Sequence, residues 1–146
     1  MTRFALTLAL ALVLPAGALV AQDSPIEQRQ ALMKKNGDAA KAAGDMVKGE
    51  VPYNAEVAAQ AMRVIVADME EIPTLFPEGT ETGFETAAKA TIWTDRDGFE
   101  AAAAKLREDA EAAATAAGEG LEAFKVAFGR AAQNCNACHE EYRVSK

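Results

Sequence analysis

Near its C-terminal end the chain reads Asn134-Cys135-Asn136-Ala137-Cys138-His139-Glu140-Glu141-Tyr142-Arg143, and this stretch holds the only histidine and both cysteines of the 146 residues. Positions 135, 138 and 139 lie three and four apart, so on a helix they share one face. Upstream, Leu121, Phe124, Phe128 and Ala131 continue that face, and Tyr142 extends it. The stretch is therefore the last part of an amphipathic helix predicted from near Leu121 to about Arg143. Asn134, Asn136 and Glu140 fall on the outward side. A Cys-x-x-Cys pair deep inside a helix, rather than opening one after a strand, points away from a mixed α/β fold.

The rest of the chain agrees. It is rich in Ala, Glu, Lys, Gln and Met and poor in β-branched runs, a composition that favours helix. Ser24-Pro25-Ile26-Glu27 forms a capping box with proline at the first helical position. The helix it opens should reach about Lys48, with Ile26, Gln30, Met33, Gly37, Ala40, Gly44 and Val47 on one face, and Gly49 and Pro52 ending it. A second helix follows Asn54, a good N-cap, with Ala58, Met62, Ile65, Met69 and Ile72 inward and Pro73 as its stop. The next twenty residues carry Pro77, Gly79 and Gly83 and no sustained period; they read as a long loop with one short turn near Glu85 to Lys89. A third helix begins near Thr94 or Asp95, buries Phe99, Ala102, Ala103, Leu106 and Ala110, and closes at Gly118 and Gly120. Four helices, with short first and last connections and a long middle loop, predict an all-α fold, an antiparallel four-helix bundle.

Met1-Thr2-Arg3, the apolar run Phe4 to Leu14 and the small residues around Ala18 and Ala21 have the pattern of a secretory signal peptide. The expectation is a leader over 1–21, with cleavage after Ala18 or Ala21, and a single domain over 22–146. The apolar run is too short to span a bilayer as a helix and no second one follows, so no stable membrane insertion is expected. Removing Arg3 and no acid takes the net charge from −7 to −8. That charge argues against nucleic acid and anionic membrane surfaces, and favours basic or neutral partners. In a bacterium the destination would be the periplasm.

Cys135-Asn136-Ala137-Cys138-His139 is the C-x-x-C-H signature of c-type haem attachment. The two thiols can add to the two vinyl groups of haem as thioethers, and His139 then sits under the iron as axial ligand. Competing readings are a disulfide-exchange pair, a zinc site completed by a carboxylate, and an inert buried pair. Disulfide-exchange pairs usually open a helix in a βαβ context, and structural zinc normally takes four Cys or His ligands.

An exported all-helical chain with this ending resembles the class II c-type cytochromes, the cytochrome c prime family. Tyr142-Arg143 after the motif looks like the family's C-x-x-C-H-x-x-aromatic-Arg ending. Arg29-Gln30-Ala31-Leu32-Met33 is similar to its Arg-Gln-rich stretch in the first helix. Phe76-Pro77-Glu78-Gly79 and Ala88-Lys89-Ala90-Thr91-Ile92-Trp93 resemble its central loop, with Ala90 where relatives often carry proline.

The resemblance implies a left-handed four-helix bundle with one covalent haem c and its iron lodged between helices. Cys135 and Cys138 would attach it, and His139 would be the proximal ligand. The residue four after the first-helix arginine, Met33, would be the distal one. Arg29 and Gln30 would lie beside the haem, with Arg29 able to pair with a propionate. Arg143, one turn past His139, would lie near the imidazole and keep it a neutral, weaker donor, unless it is only a helix-terminal arginine favoured by the macrodipole. A solvated Arg29 and an unbound, core-filling Met33 are the plainer alternatives. Tyr142 and Trp93 read as packing residues.

Two functions follow from the resemblance. A His/Met iron makes a one-electron carrier serving periplasmic redox proteins, not an enzyme. A five-coordinate iron makes a protein that binds nitric oxide or carbon monoxide. Members of the family are often dimers through the first two helices, so a homodimer is a further expectation.

Overall fold

A computed structural model describes residues 24–144; the leader expected over 1–21 lies outside them. Five α-helices follow in order: α1 (Pro25–Lys48), α2 (Ala55–Glu71), α3 (Thr91–Thr94), α4 (Arg96–Ala116) and α5 (Leu121–Tyr142). The four long ones are the predicted helices, and α3 is a single turn within the long connection. Among the described residues there is no strand, only an isolated bridge between Ala88 and Arg143.

Local chemistry sets the ends. The Ser24 hydroxyl accepts from the Glu27 N–H at 3.2 Å, while the Glu27 carboxylate accepts from the Ser24 N–H at 3.1 Å, a complete capping box. Gly49 terminates α1 at φ 76°, a left-handed conformation that glycine adopts at little cost. The Asn54 side chain accepts from the Val57 N–H at 3.0 Å and starts α2. After α2 the chain tightens into a 3₁₀ turn, Ile72–Leu75, led by Pro73. The Asp95 carboxylate accepts from the Gly98 N–H at 3.3 Å and starts α4, as expected.

The four long helices form an antiparallel bundle. α2 packs along α1 and α4, and α4 along α5. The seams are lined by small residues: Ala43, Ala58, Ala110, Ala113 and Ala117 are fully buried, which lets the helix axes approach closely. Phe124, Met62 and Ile72 fill the centre. The predicted inward stripes of α2 and α4 are buried, with Ala102 partly so.

Two expectations are corrected. The turn placed at Glu85 to Lys89 is a hydrogen-bonded turn at Gly83–Thr86, followed by an extended segment; the helical turn is α3. The backbone of that segment pairs with the end of α5, since the Lys89 N–H donates to the Tyr142 carbonyl at 2.9 Å and the Val144 N–H to the Ala87 carbonyl at 2.8 Å. In α1 the predicted stripe is the buried seam only in part: Ile26 is buried, and Met33, Ala40 and Val47 are half-buried against the core. Ile26, Arg29, Ala43 and Met46 are buried, while Gln30 and Gly37 are exposed. The physical reason lies between α1 and α5, which touch only briefly. Gln30, Met33 and Gly37 border the gap between them.

Candidate functional site

That gap is a cavity of about 500 Å³. α1 contributes Arg29, Gln30, Met33, Lys34 and Gly37; α5 contributes Cys138, His139 and Tyr142, with Arg143 just beyond its end. The long connection supplies the remaining wall through Phe76, residues 85–88 and Ile92, and α4 adds Phe99. Of the site residues predicted from sequence, all but Cys135 line this one cavity. Cys135 is half-buried and packs against the core one turn earlier on α5.

The cysteines are free, and burial pushes both thiols above the usual range; Cys135 raises Cys138 further. Burial lowers His139, and the Arg143 charge lowers it again. The site thus holds two neutral thiols and a neutral imidazole, whose lone pair is available to a metal. No group of three or more His, Cys, Asp or Glu side chains converges as a metal site among the described residues, so the zinc reading finds no ligand set.

Arg29 is not a solvated residue. It is 4% exposed, and one guanidinium nitrogen donates to the Leu75 carbonyl at 3.0 Å and the Thr80 hydroxyl at 3.1 Å. The other donates to the Thr80 carbonyl at 2.7 Å and the Thr86 hydroxyl at 2.8 Å. Its Cζ stands 4.4 Å from the Phe76 ring centroid. Burial lowers its pKa, partly offset by Glu81. Gln30 donates to the Phe84 carbonyl at 2.9 Å. Both residues therefore hold the connection against α1 while bordering the cavity.

Four aromatic rings run from the connection to α5. Trp93 meets Phe76 edge-on at 5.6 Å, Phe76 meets Phe99 at 4.9 Å, and Phe99 meets Tyr142 at 5.3 Å. Tyr142 donates its hydroxyl to Asp95 at 2.9 Å, and burial with that carboxylate pushes its pKa up to about 12. Trp93 donates its indole N–H to the Pro77 carbonyl at 3.2 Å. Both are the packing residues expected. Asn134 departs from expectation: it is half-buried and hydrogen-bonded to Asp109 of α4, which also accepts from Lys105 at 2.9 Å. A lone polar residue on the outward side gives no sign in sequence of a partner on another helix. The cavity wall made by Phe76, Thr86 and Ile92 was signalled by the length of the loop and by the resemblance of the stretches around Phe76 and Ile92, neither of which gave these residues a place at the cavity.

An apolar-walled space with a neutral imidazole, a thiol at the wall, a second thiol one turn away and cationic side chains bordering it fits haem attached through Cys135 and Cys138. Comparison with known proteins points to the same cofactor. Residues 24–143 match the family model described as Cytochrome C'. Cytochrome c' of Rhodopseudomonas palustris is 37% identical over 143 residues, 96% of this chain and 95% of the relative. Its solved structure is similar with TM-score 0.82 at 34% identity, covering 86% of this chain and 99% of that one. Cytochrome c-556 of Agrobacterium tumefaciens is 34% identical over 121 residues, 83% of this chain and 98% of the relative. A cytochrome c prime variant from Alcaligenes xylosoxidans, solved as a nitric oxide complex, is similar with TM-score 0.74 at 25% identity, covering 83% and 94%.

Proposed function

The chain belongs to the cytochrome c' family and binds a single covalent haem c with its iron, and from that premise we propose that it is a periplasmic one-electron carrier with His139 as proximal and Met33 as distal ligand. The observation carrying this reading is that Met33 of α1 and His139 of α5 line the same cavity. Cys135 and Cys138 would hold the haem through thioether links to its two vinyl positions. Bound there, the iron supplies a one-electron couple, which a His/Met pair biases toward high potential.

The chain's own residues do the rest. His139 offers a neutral nitrogen, kept so by burial and by Arg143. Met33 offers a soft thioether from a helix held by its own caps. Phe76, Ile92 and Phe99 keep water from that wall. Arg29, Gln30 and Arg143 border the cavity that would take the haem; Arg143 could balance propionate charge, and Arg29, whose terminal nitrogens already donate to Leu75, Thr80 and Thr86, would add its charge from behind that wall. The role needs no substrate and no turnover.

Among the described residues no helix is long and apolar enough to cross a membrane, in keeping with the exported domain proposed for 22–146. The acidic balance favours redox partners with basic or neutral docking faces. A homodimer would use the outer groove of α1 and α2, where Ala39, Ala42, Val57 and Val64 lie together.

A second reading, a five-coordinate iron binding nitric oxide or carbon monoxide, draws on a specific feature. Beside Met33, a side-chain carbon added at Gly37 would meet nothing within 4 Å, so the α1 wall is open there. The visible spectrum of protein matured in a periplasm with haem-attachment machinery separates the two. Sharp, split reduced bands indifferent to carbon monoxide support the carrier; broad high-spin bands that shift with it support gas binding.

A further inference from the structure

The two helical walls of the cavity, α1 and α5, touch only briefly, yet both are bonded to one short piece of the connection. On α1, Arg29 donates to the Thr86 hydroxyl at 2.8 Å and Gln30 to the Phe84 carbonyl at 2.9 Å. The same Thr86 hydroxyl accepts from the Ala88 N–H at 3.3 Å. Past the end of α5, the Val144 N–H donates to the Ala87 carbonyl at 2.8 Å. The hold on α1 at Thr86 and the hold on the end of α5 at Ala87 are thus in adjacent residues.

Lys89 completes the hold at the turn that carries His139. A helix leaves its last carbonyls without partners inside it. In α5 the His139 carbonyl accepts from the Arg143 N–H at 3.1 Å. The Glu140 carbonyl accepts from the Lys89 ammonium at 2.6 Å, and the Tyr142 carbonyl from the Lys89 N–H at 2.9 Å. One residue therefore serves two of the orphan carbonyls, one of them through a charge-assisted bond. A cation is also the charge that a helix C-terminus favours. Lys89 is itself anchored, since its carbonyl accepts from the N–H of buried Ile92 at 3.2 Å.

We propose that Lys89 is a positioning residue for the His139 imidazole. It ties the last turn of α5 to the connection, which Arg29 and Gln30 tie to α1. Helix α1 cannot brace this turn by packing, because the cavity lies between them. The proposal rests on His139 as the proximal ligand.

The test compares Lys89→Met and Lys89→Arg in the haem-loaded full chain. In Lys89→Met the Arg143 and Val144 amides exchange their hydrogens at least about tenfold faster, while the amide of buried Ala131, farther back on α5, keeps its rate. The paramagnetically shifted proton lines of the oxidised protein register how the imidazole sits against the haem. They move in Lys89→Met and return in Lys89→Arg, which keeps a cation and its donors. Unchanged amide exchange in Lys89→Met overturns the proposal. So do faster amides with unmoved lines, which make Lys89 merely structural. A visible spectrum that survives His139→Ala unchanged overturns the ligand reading and this proposal with it. A spectrum altered by His139→Ala beside an indifferent Lys89→Met removes this proposal alone.

Discussion

Met33 and His139, on the first and last helices of the bundle, line the same cavity between α1 and α5. The helices meet only briefly here, whereas the other seams close on alanine. The proposed function turns on this relationship, because it rests on whether one or both of these side chains ligate a metal held in that cavity.

Replacing Met33 with Ala should convert a low-spin iron to high-spin. Carbon monoxide should then bind the reduced protein at least about tenfold more tightly, roughly 1.4 kcal/mol. Visible spectra and carbon monoxide titration read this out. An unchanged spectrum removes Met33 as a ligand and leaves it as packing.

Arg29→Ala should cost about 2–4 kcal/mol, since it strands the buried Leu75 carbonyl and the part-buried Thr80 carbonyl and frees the connection from α1. Cleavage by chymotrypsin at Phe84, which is 61% exposed, should accelerate in the variant. Wild-type cleavage rates would show that the latch is not what holds this segment.

Gly98→Ala should destabilise by about 1–3 kcal/mol. A Cβ there would run into the Asp95 carboxylate and stand 2.7 Å from the Tyr142 hydroxyl, in the first turn of α4. Denaturant midpoints measure the loss. Rescue by Asp95→Asn would not relieve the crowding, whereas Tyr142→Phe combined with Gly98→Ala should recover part of it.

Acid should loosen the seam of α4 and α5 beside the attachment motif. The Lys105 hydrogen bond holds the Asp109 carboxyl below the usual range, with Asn134 adding to it. A depressed folded pKa means that the contribution is complete above the unfolded value, about 3.9, and is lost as pH falls through the folded one. The midpoint difference between wild type and Asp109→Ala should therefore be constant at neutral pH and close below about pH 4. A gap that persists in acid would assign the effect to packing.

Much of the fold was legible because its signals are local. Ser24 and Glu27, Asn54 and Asp95 cap helices through atoms three residues apart, and the apolar spacing of α2 and α4 names their buried faces directly. The stripe of α1 misled for a physical reason. Periodicity identifies a face turned inward, but it does not distinguish a face packed on side chains from one bordering a cavity, and Gln30, Met33 and Gly37 belong to the second kind. The turn assigned to Glu85–Lys89 failed similarly, because that segment is held by pairing with residues 142–144 rather than by its own sequence.

The order of residues by itself determined the helices, their caps and the face on which Cys135, Cys138 and His139 sit, since each depends on neighbours within a turn. The tertiary structure decided what those residues meet. It buried Arg29 under the connection rather than leaving it in solvent, tied Asn134 to Asp109, and drew Met33 to the cavity that His139 borders. Such partners are brought together by the packing of whole helices, and a contact between distant residues leaves no period in the chain that makes it.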